Sequence, residues 1–252
     1  MSQPWEIYDA LLDGLPDDVV VRTAGQGPRW SRVLNSAGGV GTAWTMDVRS
    51  RPALNDGPLD GRPLRDVGAL AKSWNLAEAS IGQAAINSWY SREQTAAANG
   101  FEPTGEGLTW RQVFDPYQEM IAGKRVAVIG HFPFAEAALA GAGEYICLER
   151  NLQPGDWPDS ACEYVLPECD LVFISSSSFV NKTAPRLIEL SRQAHTVLVG
   201  PSTPLNPVLL DYGVDTITGF IAASSLSDPA SLAEMVPAGD IGPGFRVHRH
   251  RS

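Results

Sequence analysis

The chain has 252 residues, 44% of them hydrophobic, and a formal net charge of -10. That apolar fraction fills one core or two and excludes disorder as the default, while the acidic balance lacks the basic footprint that nucleic acids and anionic membranes require. No run of 18 apolar residues exists, so no helix is expected to span a bilayer.

Met1 to Gly14 reads as a short amphipathic helix, with Trp5, Tyr8, Leu11 and Leu12 near helical spacing. Its acidic start lacks the apolar stretch of a signal peptide, so the cytoplasm is the expected location. Asp17 to Trp44 reads as strands: one starting at Val19, Val20 and Val21, one from Trp30 to Asn35 after a Gly/Pro turn, and a third near Ala43 to Val48. Arg49 to Pro63 is a loop. Helices follow at Leu64 to Lys72 and, most clearly, at Asn75 to Arg92, so the first half is an α+β unit built on an antiparallel meander. Gln94 to Gly107 is a polar connector, and Trp110 to Ala122 is expected to be a helix leading into a second unit.

From Gly123 the pattern changes. Five strands are expected, at Arg125–Gly130, Tyr145–Glu149, Asp170–Ser175, Thr196–Gly200 and Thr216–Phe220. The first four are continuous apolar runs, as parallel strands covered on both faces should be. The intervening segments are long enough for crossover helices, giving an α/β sheet whose ligand would sit beyond the strand carboxyl ends. The tail from Pro237 reads as irregular, and His248 and His250 as part of a solvated basic end.

Candidate chemistry gathers at the strand ends. After the first strand comes Gly130-His131-Phe132-Pro133, which keeps only the first glycine of a dinucleotide fingerprint, so ordinary NAD binding is disfavoured. His131 is a candidate acid/base or metal ligand. Glu149, 19 positions after Gly130, suits a ribose diol or a metal. Ser176, Ser177 and Asn181 follow the third strand. Ser202 and Thr203 follow the fourth, where either hydroxyl with Pro204 would start a helix and present free N–H groups to an anion. Cys147, Cys162 and Cys169 are odd in number and irregularly spaced, which argues against disulfides, and each reads as a buried small hydrophobe. There is no CxxC, HExxH or GxSxG motif.

Six segments taken together carry a family resemblance: SIGQAAIN (Ser80 to Asn87), VAVIGHFPF (Val126 to Phe134), LERN (Leu148 to Asn151), LPECDLVFISSSSFVNKT (Leu166 to Thr183), VGPSTPL (Val199 to Leu205) and GVDTITG (Gly213 to Gly219). The chain resembles a bacterial and archaeal family, once a domain of unknown function and later labelled a heavy-metal chelation domain. The resemblance implies an enolase N-terminal-like α+β domain, placed here at residues 1–108, followed by a Rossmann-like α/β domain at 109–252. It also implies a site in the cleft between them, with Asn87 facing the strand-end residues of the second domain. Two departures stand out: Ser175 to Ser178 replace Thr-Gly-Thr-Thr-like residues, and Lys182 stands where glycine is common in the family.

The resulting expectation is a small-molecule-binding protein or enzyme in heavy-metal chelation, or in the metabolism of a metal-chelating compound. Its ligand would be a divalent metal or a nucleoside-type molecule, and the partner set leaves room for a homodimer. A transferase using a nucleoside cofactor such as S-adenosylmethionine, and a non-catalytic ligand sensor, are the alternatives.

Overall fold

The computed structural model describes residues 3–105 and 110–251; the expected boundary between 108 and 109 lies outside them. Helix α1 (Glu6–Asp13) buries Ile7, Tyr8, Leu11 and Leu12, the stripe its spacing predicts. Strands β1 (Val21–Gln26), β2 (Trp30–Asn35) and β3 (Val40–Trp44) form an antiparallel three-stranded meander. The third strand therefore starts earlier than expected, because Gly41 packs its backbone against α3, where a Cβ would meet the Ala84 carbonyl at 1.9 Å. Helices α2 (Leu64–Ala69), α3 (Leu76–Tyr90) and α4 (Glu93–Ala98) follow. Asn75 caps α3 by accepting the Glu78 N–H, and the small residues along α3 let the meander and α2 approach closely.

The C-terminal half forms an eight-stranded mixed sheet with β4 (Glu102–Pro103), β5 (Arg125–Ile129), β6 (Glu144–Glu149), β7 (Trp157–Pro158), β8 (Leu171–Ser175), β9 (His195–Val199), β10 (Thr216–Ala222) and β11 (Gly244–His250). Its order is β4-β11-β10-β9-β8-β5-β6-β7, with parallel pairing from β10 through β7 and antiparallel pairing of β11 with β10 and β4. The fold class is α+β followed by α/β, as the strand patterns predict. One buried core runs through both halves, from Ile7 and Leu11 to Leu198, Ile217 and Val247. Tyr8 reaches across it, its hydroxyl donating to the Phe179 carbonyl at 2.7 Å.

Four local expectations are corrected. The tail is irregular only at 239–243: Gly244–His250 pairs along its whole length with Thr216–Ala222, and His248 and His250 sit 3.2 Å and 3.0 Å from the hydroxyls of Thr104 and Thr216. The polar connector contains a helix and an edge strand, since α4 and β4 occupy it. Trp110 to Ala122 breaks into two 3₁₀ turns and a four-residue helix, Pro116 being unable to donate a helical hydrogen bond. No helix starts at Ser202 to Pro204; the next one is Val208–Asp211. Among the described residues no helix is long and apolar enough to cross a membrane.

Candidate metal centre at the carboxyl edge

The chain leaves β5 at Gly130, whose φ of 100° is the left-handed region glycine tolerates. A Cβ there would also lie 2.9 Å from Ser175 Cβ. The sharp turn aims the His131 N–H at Glu149 Oε2, 2.8 Å away. Phe132 and Phe134 anchor the loop by packing on the fully buried Phe114, with ring centroids 6.0 and 5.9 Å from it.

Glu149 Oε1 accepts the N–H groups of Arg150 at 2.6 Å and Asn151 at 2.9 Å. With three backbone donors on one carboxylate, Glu149 ties the β5 loop to the β6 loop. The loop after β6 then returns to place Asp156 against His131. Both Asp156 oxygens lie 3.1 Å from His131 Nδ1, and Oδ2 also accepts the Gln153 N–H at 2.9 Å. Cys147 projects from β6 two residues before Glu149, on the same face, and its Sγ is 3.9 Å from the same imidazole nitrogen.

One imidazole nitrogen, one thiol and one carboxylate oxygen thus lie within 4.8 Å of one another. Cys147 is buried, the Asp156 side chain is 3% exposed and that of His131 is 26% exposed, so the cluster opens to solvent on the imidazole side. Burial, and the neighbouring Asp156 charge, push the Cys147 thiol up to about 12. Burial works to raise the Asp156 carboxyl too, but the Gln153 N–H, the Cys147 thiol and His131 outweigh it and hold the group below the usual carboxylate range.

The remaining sequence candidates lie elsewhere. Asn87 is fully buried, with Nδ2 donating to the Thr42 carbonyl at 2.8 Å and Oδ1 accepting from Gln83 Nε2 at 3.1 Å. Gln83 Nε2 also lies 3.3 Å from the Ser202 carbonyl, the Ser202 hydroxyl accepts the Trp44 N–H at 2.8 Å, and the Ser202 N–H donates to Ser176 Oγ at 3.1 Å. Thr203 Oγ1 is within 2.7 and 2.9 Å of the carbonyls of Gly200 and Thr218. Asn87, Ser176 and Ser202, with Gln83, form a polar seam joining α3 and the meander to the ends of β8 and β9, and Thr203 is held beside it within the large sheet. Asn181 Oδ1 accepts from the N–H and hydroxyl of Thr183. Ser177, half-buried, shares a 3.0 Å contact with the Ser175 hydroxyl beside Gly130.

His131 is thus the one sequence candidate placed in the donor cluster, Gly130 and Glu149 position it, and the seam residues lie apart. Cys147 and Asp156 are the members sequence reasoning missed. The i, i+2 spacing of Cys147 and Glu149 was a usable signal for the first; nothing in the sequence pointed to the second.

Family models described as "Putative heavy-metal chelation" match residues 8–90 (DUF4213) and 112–246 (DUF364). The chain is similar to a DUF364-family protein of unknown function from Desulfitobacterium hafniense DCB-2, at 37% identity over 98% of both chains, with a TM-score of 0.85. It shares its fold with a second such protein from Pyrococcus horikoshii, at 21% identity over 98% of this chain and 99% of the other, with a TM-score of 0.77. No curated protein matches it.

Proposed function

From the premise that this chain belongs to the DUF364 family, a family described by heavy-metal chelation, we propose that it binds a divalent heavy-metal ion through His131, Cys147 and Asp156. The observation that carries this reading is the donor set. Sulfur, nitrogen and oxygen donors together suit borderline ions such as zinc, cobalt, nickel or copper, not magnesium or calcium. In a tetrahedral zinc site such donors stand about 3.5 Å apart, so side chains already within 4.8 Å need only small movements. Three protein donors leave a coordination position for water or an organic chelator, which is where a small-molecule ligand would join.

Glu149 acts one step back. By holding the His131 backbone it fixes the imidazole, the outer-shell role that carboxylates commonly play around metals. Three backbone donors leave that carboxylate about one free acceptor site, too few to favour the nucleoside-cofactor reading. The enolase N-terminal-like and Rossmann-like units are read as meeting at residues 108/109, with the hydroxyl and amide seam as their joint.

The test is titration of the apo-protein with Zn²⁺ by calorimetry, and with Co²⁺ by its thiolate charge-transfer absorption. One ion per chain is expected. Cys147→Ser, His131→Ala and Asp156→Asn should each weaken binding by more than about 100-fold, beyond what loss of an outer-shell partner costs. Unchanged affinity in all three variants would sink the assignment.

A further inference from the structure

The basic end of the chain sends its histidines and its arginines to opposite faces of β11. His248 and His250 reach the hydroxyls of Thr104 and Thr216. The Arg251 N–H donates to the Asp215 carbonyl at 2.8 Å, so the strand direction continues one residue past His250, and Arg249 and Arg251 share the other face. There they line an open cavity of about 590 Å³, together with Pro207, Val208, Leu210 and Asp211. His250 pairs with Thr216 at the start of β10, so this is the amino edge of the parallel strands, opposite the metal donors.

Both guanidinium groups are anchored by neutral partners. Arg249 Nη1 donates to the Asn99 carbonyl, and Arg251 Nη2 to the carbonyls of Leu210 at 2.6 Å and Val214 at 2.8 Å. Carbonyl oxygens fix the side chains without cancelling their charge. Arg251 Nη1 lies 3.6 Å from Asp215, and among the described residues no carboxylate is in ion-pair reach of Arg249. Asp211, exposed at the end of the helix Val208–Asp211, lines the same cavity without pairing with either arginine. Two anchored forks rooted about 7 Å apart along a strand have little side-chain freedom left to lose on binding.

We propose that this cavity binds a hydroxylated phosphate monoester of the sugar-phosphate type, its phosphate between Arg249 and Arg251 and a hydroxyl donating to Asp211. A phosphate monoester offers three terminal oxygens and more than one negative charge near neutral pH, enough for two guanidinium forks, whereas a carboxylate offers two oxygens and one charge. The Asp211 carboxylate repels an anion but accepts from hydroxyls, so it selects the alcohol end of the ligand. Pro207, Val208 and Leu210 give an apolar wall for the C–H face between the two ends. The volume lies within the range of small-molecule sites.

The site shares no residue with the metal donors, so its test is independent of the metal reading. The metal-free full chain is titrated by calorimetry at low salt with ribose 5-phosphate, inorganic phosphate and gluconate. Ribose 5-phosphate should bind one per chain, with inorganic phosphate about tenfold weaker for want of the hydroxyl contact, and gluconate weaker still. Arg249→Gln should weaken ribose 5-phosphate at least about tenfold, as loss of a charge-assisted pair requires. Asp211→Asn, an exposed change that spares the fold, should narrow the gap between ribose 5-phosphate and inorganic phosphate without weakening the latter. His131→Ala should bind like the wild type. The proposal is overturned by the absence of saturable binding at millimolar ribose 5-phosphate, by unchanged affinity in Arg249→Gln, by gluconate binding as tightly as ribose 5-phosphate, or by a loss in His131→Ala as large as that in Arg249→Gln.

Discussion

The carboxyl edge of the large sheet contains two stretches with opposite fates. At the ends of β8 and β9, Ser176, Ser202 and Thr203 are almost fully buried, with exposures of 2%, 1% and 0%; Ser202 bonds to Ser176 and to Trp44 of the N-terminal half, and Thr203 to the carbonyls of Gly200 and Thr218. At the ends of β5 and β6, His131 keeps a quarter of its side chain in solvent. Polar residues beyond parallel strands are commonly expected to bind ligand. Where the meander and α3 descend on this edge, the same chemistry becomes a joint.

The comparison breaks most visibly at Asn87. Asn87→Ala would take the side-chain donor from the buried Thr42 carbonyl and leave Gln83 Nε2 only the Ser202 carbonyl. It should cost about 2 kcal/mol of stability, within the roughly 1–3 for one orphaned group. For a chain of this length that lowers Tm by roughly 4–8 °C in a thermal scan. Zinc affinity in the folded protein should be unchanged; a large loss would mean that seam and metal cluster form one site.

A middle-sized effect is expected at Glu149. Glu149→Gln replaces one acceptor oxygen with an NH₂ group facing backbone donors, loosening the β5 loop. Calorimetry should show zinc affinity falling about 10–100-fold, the range for an outer-shell partner. A loss as large as that in Cys147→Ser would make Glu149 a direct ligand instead.

The smallest effect is a pH slope. The Cys147 thiol is raised to about 12, so it is protonated throughout the neutral range, and binding a metal as thiolate expels that proton. Affinity should rise with pH, by about tenfold per unit between pH 7 and 8.5, and proton release should be measurable in weak buffer. A flat profile that persists in Cys147→Ser would remove the thiol from the donor set.

Some of this could be read before folding. Continuous apolar runs such as VAVIG and LVFIS marked buried parallel strands, because a strand covered on both faces has no polar side to alternate with. β11 escaped notice because FRVHRH carries no such run; only Arg246 and Val247 are buried, in a strand that pairs with β10 and β4. His131 could be anticipated from its place after the first strand. Asp156 could not, since an irregular loop has no period that says where its side chains will point.

The sequence by itself therefore determined the order and type of the main elements and the strand-end location of the chemistry, because periodicity and strand-terminal position are local properties. The tertiary structure alone decided which strand-end residues remain accessible, and that the side chains of Cys147 and Asp156 come to lie beside His131. Those outcomes depend on which surfaces meet, and a thiol, an imidazole and a carboxylate spread over 26 residues become one cluster only after the β5 and β6 loops are tied together through Glu149.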